Sequence, residues 1–160
     1  MNAAQFTEIY GAMAVKSGQR YGINPAVILA IASIETNWAT SFSSRNDRNF
    51  FGIKVSVNPA NFGRHWDGKS KRQVGSTYPG DTGFYRVYQT VEKSFLDFGW
   101  FITNVQPYKR LGLASQSNNF AQFAKAFTTS GYMQATYEKA LLSRSNAFDT
   151  ELKKKATRTQ

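Results

Sequence analysis

The chain has 160 residues, a formal net charge of +10 and no cysteine. Its length predicts a single domain, and the absence of cysteine excludes disulfide bonds, thiol catalysis and thiolate zinc sites. Because His65 is the only histidine, multi-histidine metal motifs are also excluded, and we expect neither a metal nor an organic cofactor. The positive charge favours an acidic partner, such as nucleic acid, an anionic membrane or an acidic cell-wall polymer.

The first forty residues predict two helices. Apolar residues recur at helical spacing over residues 3–20, and a break at residues 21–23 follows them. Asn24 and Pro25 are typical of a helix start, with a capping side chain before a proline in the first turn. The second predicted helix, residues 25–38, is apolar without a break from residue 26 to residue 32, so we expect it to be buried at the centre of the fold.

The middle of the chain, residues 46–88, is rich in glycine and loses the helical period. Short strands are predicted at residues 51–57, 71–77 and 84–88, with a turn at residues 78–83 that makes a hairpin. Helices are predicted again from residue 90 onward, near residues 120–127 and near residues 134–143. The domain is expected to span residues 1–150, and the basic tail at residues 151–160 is expected to be frayed.

Glu35 is the one acidic residue among ten that falls on an apolar helix face. Ile28, Ile31 and Trp38 lie beside it at helical offsets. Burial there would disfavour the carboxylate and raise its pKa, as a general acid working near neutral pH requires. The pattern leaves a structural alternative open, in which Glu35 ends the helix and pairs with an arginine such as Arg45 or Arg48.

Five motifs follow one another along the chain. They are Y-G-I-N-P at residues 21–25, I-A-S-I-E-T-N-W at 31–38, N-F-F-G-I-K at 49–54, F-Y-R-V-Y at 84–88, and a last one that runs from G-Y at 131–132 to Y-E-K at 137–139. In this order they resemble the signatures of the bacterial glucosaminidase family, glycoside hydrolase family 73. The resemblance covers about residues 20–142, and it is specific because five motifs keep the family's order.

The resemblance implies a lysozyme-like α+β fold, with a mainly helical lobe, a small β-hairpin lobe and a cleft between them. It implies a peptidoglycan hydrolase that cleaves the N-acetylglucosaminyl-β-1,4-N-acetylmuramic acid bond of glycan strands at the bacterial cell wall, in the periplasm or outside the cell. We expect a monomer that binds no nucleic acid and does not insert into a membrane, since no apolar run approaches about 20 residues. No signal-peptide pattern is visible, so the export route and a bacterial or phage origin stay open.

The resemblance also implies which residues form the site. Glu35 becomes the general acid, Tyr132 lines the catalytic centre, and Phe50, Phe51 and Gly52 shape the floor of the cleft. Further residues are expected to contact the sugars: Trp38, Asn49, Tyr78, Tyr88 and Tyr137.

One position departs from the family pattern. Many members carry a second glutamate in a T-E-Y stretch on the hairpin, whereas this chain has threonine in that place, Thr77. Asp81 in the adjoining turn is the first candidate to replace it, and Asp67 is a weaker one. Alternatively, Thr77 orients the attacking water without acting as a base, or the N-acetyl group of the substrate takes part, so the stereochemical outcome stays open.

Three other functions compete with this one. A muramidase or a lytic transglycosylase would act on the same polymer with one essential acid. A non-catalytic wall-binding module would have lost its activity together with the hairpin glutamate. A nucleic-acid binder is suggested by the charge alone, and it is disfavoured because neither an RRM signature nor a C₂H₂ zinc-finger pattern occurs.

Overall fold

The structure is a computed structural model that describes residues 1–158, and in this range it has six α-helices and one two-stranded sheet. The helices are α1 (Ala3–Tyr21), α2 (Pro25–Glu35), α3 (Val91–Asn104), α4 (Tyr108–Leu111), α5 (Phe120–Thr129) and α6 (Glu138–Arg158). Strands β1 (Lys71–Gln73) and β2 (Phe84–Arg86) pair in antiparallel fashion, with Arg72 opposite Tyr85. The predicted α+β class, a helical lobe with a small hairpin lobe, is confirmed.

The helical lobe is built around α2. The Asn24 side chain accepts a hydrogen bond from the Ala26 amide at 2.9 Å, and Pro25 fills the first turn, as predicted. Residues 26–33 are all buried, and α2 packs against α1 and α6. Six phenylalanines from the surrounding helices complete this core: Phe6, Phe95, Phe98, Phe123, Phe127 and Phe148.

Helix α2 ends at Glu35, three residues earlier than predicted. Asn37, Trp38 and Ala39 adopt left-handed backbone conformations, with φ between 48° and 64°. The Thr36 hydroxyl stabilises this turn, because it donates to the Ala32 carbonyl at 2.6 Å and accepts from the Ala39 amide at 2.8 Å. Glu35 is therefore the last residue of the central helix and not part of a continuing one.

The predicted strand at residues 51–57 is wrong, since only an isolated bridge between Lys54 and Tyr85 forms there. The cause is the buried Asn49 side chain, whose oxygen accepts from the amides of Phe51 (3.3 Å) and Ile53 (3.2 Å). Its amide group donates to the carbonyls of Ile53 (2.9 Å) and Arg86 (3.0 Å). These bonds brace a turn before Lys54, so backbone pairing with β2 is limited to the bonds from Val55 to Phe84 (2.9 Å) and from Arg86 to Ile53 (3.1 Å).

The C-terminal segment also differs from the prediction. Helix α6 continues to Arg158, and residues 159–160 lie outside the described part, so the frayed tail expected at residues 151–160 stays a prediction. The last turns are held against α1, because Arg158 pairs with Glu8 at 2.5 Å. A domain limit at residue 150 stays a prediction, although it now falls inside a helix.

Candidate active site

A cleft of about 170 Å³ lies between the end of α2 and the hairpin lobe. Glu35 is one of its lining residues, together with Phe51, Gly52, Ile53, Lys54, Tyr78, Phe101, Tyr108, Gly131 and Tyr132. Four of the residues predicted for the site, Glu35, Phe51, Gly52 and Tyr132, meet here, and Tyr78 joins them from the hairpin. The cleft thus collects parts of three of the five motifs, which are far apart along the chain.

The carboxyl group of Glu35 is largely buried and has no hydrogen bond or ion pair within residues 1–158. Burial raises its pKa from 4.5 to about 7, because desolvation penalises the charged form. The structural alternative, in which Glu35 pairs with Arg45 or Arg48, is therefore not what the structure shows. A carboxyl group in this state carries a proton near neutral pH and faces a cavity into which it can donate it.

Gly52 and Tyr132 form the surface against which Glu35 lies. Gly52 has a φ of 64°, and a Cβ atom added there would come within 3.3 Å of the Glu35 Oε2 atom, so a side chain at this position would crowd the acid. The Tyr132 hydroxyl donates to the Phe51 carbonyl at 2.5 Å. Burial raises the pKa of Tyr132 well above 10, and the nearby Glu35 raises it further, so this hydroxyl keeps its proton.

Asp81 lies in the turn of the hairpin and does not line the cleft. Its Oδ2 atom accepts from the Lys54 ammonium group (2.5 Å), the Thr77 amide (2.8 Å) and the Thr77 hydroxyl (3.1 Å), and its Oδ1 atom accepts from the Gly83 amide (2.8 Å). The bond from Lys54 is the main cause that holds the pKa of Asp81 well below its usual range. A carboxylate so engaged is a weak base, which disfavours the predicted role of Asp81 as the second catalytic carboxylate.

Asp67, the weaker candidate, is used in a local turn. Its side chain accepts from the amides of Lys69 (2.9 Å) and Ser70 (2.7 Å) and from the Ser70 hydroxyl, and it does not line the cleft. Thr77 is exposed at the hairpin, next to the cleft-lining Tyr78, and its hydroxyl proton is directed to Asp81. Thr77 does not line the cleft either, but it is bonded along the chain to Tyr78, which does.

Several predicted sugar contacts are corrected by the structure. Asn49 and Tyr88, and also Phe50, which was predicted for the cleft floor, are at most 2% exposed and do not line the cleft. Tyr88 donates to Asp97 at 2.5 Å in the interior. Trp38 packs edge-on against Phe6 with Arg144 over its ring, and it serves the contact of α1 with α6. Tyr137 is exposed outside the lining of this cleft, so its sugar contact stays a prediction.

Five residues that line the cleft were not predicted as site residues: Ile53, Lys54, Phe101, Tyr108 and Gly131. Lys54 closes the N-F-F-G-I-K motif, so its position carried a signal that was not used. Phe101 lies in α3 and Tyr108 is the first residue of the short helix α4. In the sequence both look like ordinary core aromatics. Their rings pack on each other at 5.6 Å and each meets the Tyr132 ring, which makes one aromatic wall of the cleft.

Two other kinds of site were sought in the described part of the chain. No cluster of three or more potential metal ligands is found there, and no helix there is long and apolar enough to cross a membrane. A wider surface groove of about 760 Å³ lies between α1 and α6. Its acidic residues Glu8, Asp149 and Glu151 are all ion-paired, so we place the chemistry in the smaller cleft, where the acid is unpaired.

Comparison with known proteins gives a family and a fold. The sequence model of the family described as mannosyl-glycoprotein endo-beta-N-acetylglucosaminidase (Glucosaminidase) matches residues 11–150. The peptidoglycan hydrolase FlgJ of Pseudomonas aeruginosa is 30% identical over 131 residues, which are 76% of this chain and 31% of that protein. The chain therefore spans about a third of the length of this curated relative.

Solved structures share the architecture at low sequence identity. The glycoside hydrolase domain of FlgJ from Salmonella typhimurium superposes with a TM-score of 0.68 at 20% identity, over 99% of this chain and 95% of that one. A peptidoglycan hydrolase mutant from Sphingomonas sp. A1 gives a TM-score of 0.69 at 23% identity, over 93% and 97%. These similarities confirm the lysozyme-like fold that the motifs imply.

Proposed function

The chain belongs to the glucosaminidase family, glycoside hydrolase family 73, and on that premise we propose that it hydrolyses peptidoglycan at the N-acetylglucosaminyl-β-1,4-N-acetylmuramic acid bond. The substrate is the glycan strand, and the site of action is the bacterial cell wall. The observation that carries the proposal is the carboxyl group of Glu35, which is unpaired, faces the cleft and has its pKa raised to about 7.

Glu35 acts as the general acid. In its protonated form it donates to the oxygen of the leaving sugar while positive charge develops on the ring carbon and oxygen of the other sugar. Once it has ionised, the carboxylate is an anion beside that positive charge, which favours the transition state electrostatically. Because the donor must hold its proton, activity falls as the pH rises above about 7.

The attacking water is held from the hairpin side by Thr77. Its hydroxyl donates to Asp81 at 3.1 Å, which leaves the oxygen lone pairs directed away from the turn and able to accept from a water. In this arrangement Asp81 orients Thr77 and takes up no proton, so the attacking water releases its proton to solvent as its oxygen bonds to the ring carbon. Attack by the N-acetyl oxygen of the substrate is the alternative that needs no protein group, and the anomeric configuration of the first product distinguishes inversion from retention.

The rest of the cleft binds and orients the sugar. Tyr78 on the hairpin and Tyr108 on α4 both line it, and aromatic rings of this kind suit the apolar faces of pyranose rings. Gly52 carries no side chain next to Glu35, so a sugar can approach the acid closely. A degenerate wall-binding module has no need of an unpaired carboxyl group with a raised pKa, and its presence favours the enzyme.

The test is Glu35→Gln on purified sacculi, with mass spectrometry of the released ends. We expect a loss of about 10²- to 10⁴-fold in rate, as for removal of a general acid, and new reducing N-acetylglucosamine ends in the wild type. Glu92→Gln is the matched control, since Glu92 is exposed and pairs with Lys16 on the surface. Equal activity of Glu35→Gln and wild type would refute the mechanism, and reducing muramic acid or 1,6-anhydro ends would instead identify a muramidase or a lytic transglycosylase.

A further inference from the structure

Lys54 connects the floor of the cleft to the hairpin tip, defined here as residues 74–83. Its backbone is fixed, because Lys54 bridges Tyr85 and its carbonyl accepts from the Arg86 guanidinium at 3.1 Å. Its side chain, 17% exposed, reaches from there to both arms of the tip. The ammonium group contacts Asp81 at 2.5 Å on the returning arm and the Gly75 carbonyl at 3.3 Å on the outgoing arm.

The hairpin tip has little apolar packing to hold it. Residues 74–80 are all exposed, and β1 and β2 end before the tip begins. Asp81 organises it from within, since it accepts from the amides of Thr77 and Gly83 and from the Thr77 hydroxyl. The ion pair of Lys54 with Asp81 therefore joins the internal network of the tip to the fixed floor of the cleft.

The same pair matters for the charge beside the acid. Lys54 and Glu35 both line the cleft, and the other titratable groups that line it are the tyrosines Tyr78, Tyr108 and Tyr132. The Lys54 ammonium group is matched by the Asp81 carboxylate. Burial is the cause that raises the pKa of Glu35, so a cation left unmatched in the cleft would favour its ionised form.

We propose that Lys54 and Asp81 act as a neutral clamp, which positions Thr77 and Tyr78 beside Glu35 and keeps the cleft free of net charge next to the acid. Both are positioning residues, because they act through Thr77, Tyr78 and Glu35 rather than on the sugar. The inference rests on the proposed role of Glu35 as the general acid. It assigns a positioning role to Lys54, and it gives Asp81 a positioning role in place of the predicted role as a base.

The test is a double-mutant cycle read out by the pH profile of the rate. Asp81→Asn leaves the Lys54 cation unmatched in the cleft, which favours the ionised form of Glu35 and shifts the alkaline limb of the profile down by about one pH unit. Lys54→Met leaves the Asp81 anion and does not shift the limb down. The double variant is neutral again, so its limb returns to the wild-type position although its rate stays low, by about 10- to 100-fold. Loss of packing alone would lower the rates and leave every limb where it is.

Hydrogen exchange gives a second readout that does not depend on activity. The amides of Thr77 and Gly83, which both donate to Asp81 at 2.8 Å, are expected to exchange at least about tenfold faster in Lys54→Met and in Asp81→Asn. Lys16→Met, which removes the exposed ion pair with Glu92, should change neither the exchange of the tip nor the rate. Lys54→Arg, which keeps the cation, should keep the wild-type alkaline limb, and it serves as the charge-retaining variant if Lys54→Met does not fold.

The two proposals fail in different ways. If Glu35→Gln is as active as the wild type, the proposed function fails, whatever the hairpin does. If Glu35→Gln is inactive, while Asp81→Asn keeps both the wild-type alkaline limb and the protection of the tip amides, the clamp is refuted and the general acid stands.

Discussion

The two walls of the cleft are built in opposite ways. The wall that carries Glu35 is the end of a helix whose residues 26–33 are all buried, so the acid is held by a helix that is embedded in the core. The wall that carries Thr77 and Tyr78 is a hairpin tip with exposed residues, held by an ion pair and a few hydrogen bonds. The first wall supplies a fixed, desolvated acid, and the second supplies polar groups whose positions depend on each other.

The two walls fix their side chains by different interactions, apolar packing in one and hydrogen bonds with an ion pair in the other. Apolar packing fixes a side chain by excluding alternatives, and it also desolvates the acid and raises its pKa. Polar bracing fixes a side chain only while every partner is present, because a buried partner left alone costs free energy. We therefore expect a substitution on the hairpin side to displace several residues of the polar network, whereas a substitution at the end of α2 should affect only its direct neighbours.

The largest expected effect on stability is that of Arg86→Leu, which removes the base of the hairpin wall. Arg86 is fully buried in β2 and pairs with the buried Asp97 at 3.1 Å. Its guanidinium also donates to the carbonyls of Lys54, Asn61 and Phe62. Removing it leaves the Asp97 carboxylate buried without its cation, so the free energy of unfolding should fall by about 3–5 kcal/mol in denaturant titration.

If Arg86→Leu left the free energy of unfolding nearly unchanged, the hairpin wall would not depend on its polar partners, and the contrast between the two walls would be wrong. The matched control is Lys16→Met, which also breaks an ion pair, but an exposed one, and should cost less than about 1 kcal/mol. Arg86→Leu combined with Asp97→Leu should cost less than Arg86→Leu alone, because no uncompensated charge remains.

The sequence predicts the helical wall well because its rules are local. The capping Asn24, the proline after it and the apolar run of α2 lie within one helix, and helical spacing puts Glu35 on its buried face. The end of the helix was misjudged by three residues because the left-handed turn at residues 37–39 depends on the Thr36 hydroxyl and not on a glycine or proline. Tyr132 and Gly52 were predicted from the motif resemblance, which identifies residues of the site but does not show how they contact each other.

The hairpin wall is harder to predict because its contacts are remote in sequence. Lys54 and Asp81 are 27 residues apart, and Asn49 and Arg86 are 37 apart, so no local pattern shows that they meet. Asn49 and Tyr88 are polar or aromatic residues within motifs, and such residues suggest sugar contacts. Both are instead buried and brace the backbone, since a residue type does not tell which side of a short strand or turn it faces.

The burial of Glu35 in the helical wall predicts how the free energy of unfolding depends on pH. In the folded state its pKa is about 7, against 4.5 ordinarily, so the folded protein holds a proton that the unfolded chain releases between these values. Wild-type stability should therefore fall as the pH rises from about 4.5 to 7. Glu35→Gln removes this cost, and it should raise the free energy of unfolding by about 1–3 kcal/mol at pH 8 and by almost nothing at pH 4.

This stability gain is measured by denaturant titration of both proteins at the two pH values. Glu92→Gln should show no comparable gain at pH 8, because Glu92 is exposed and paired with Lys16. If Glu35→Gln were less stable than the wild type at pH 8, burial of the ionised Glu35 carboxylate would not destabilise the folded protein. The proposed desolvation of the acid by the helical wall would then be wrong.

The smallest expected effect is that of Tyr132→Phe, at the point where the aromatic wall meets the floor of the cleft. The variant keeps the ring, which packs on Phe127 at 4.8 Å, and loses only the hydrogen bond to the Phe51 carbonyl. We expect a loss of about 1 kcal/mol in unfolding free energy. We also expect a rate loss of about tenfold, because Phe51 leads directly into Gly52, which lies against Glu35.

Tyr10→Phe is the matched control for this last variant. Tyr10 is a partly buried tyrosine that packs on Phe6 and Phe50, and its hydroxyl has no hydrogen bond within the described residues. Removing that hydroxyl should change neither the stability nor the rate measurably. If Tyr132→Phe behaved like Tyr10→Phe, the ring alone would place the floor of the cleft, and the helical side would need no polar bracing at all. If it lost as much as the hairpin variants, a hydrogen bond would matter equally on both sides, and the distinction between a packed wall and a braced wall would fail.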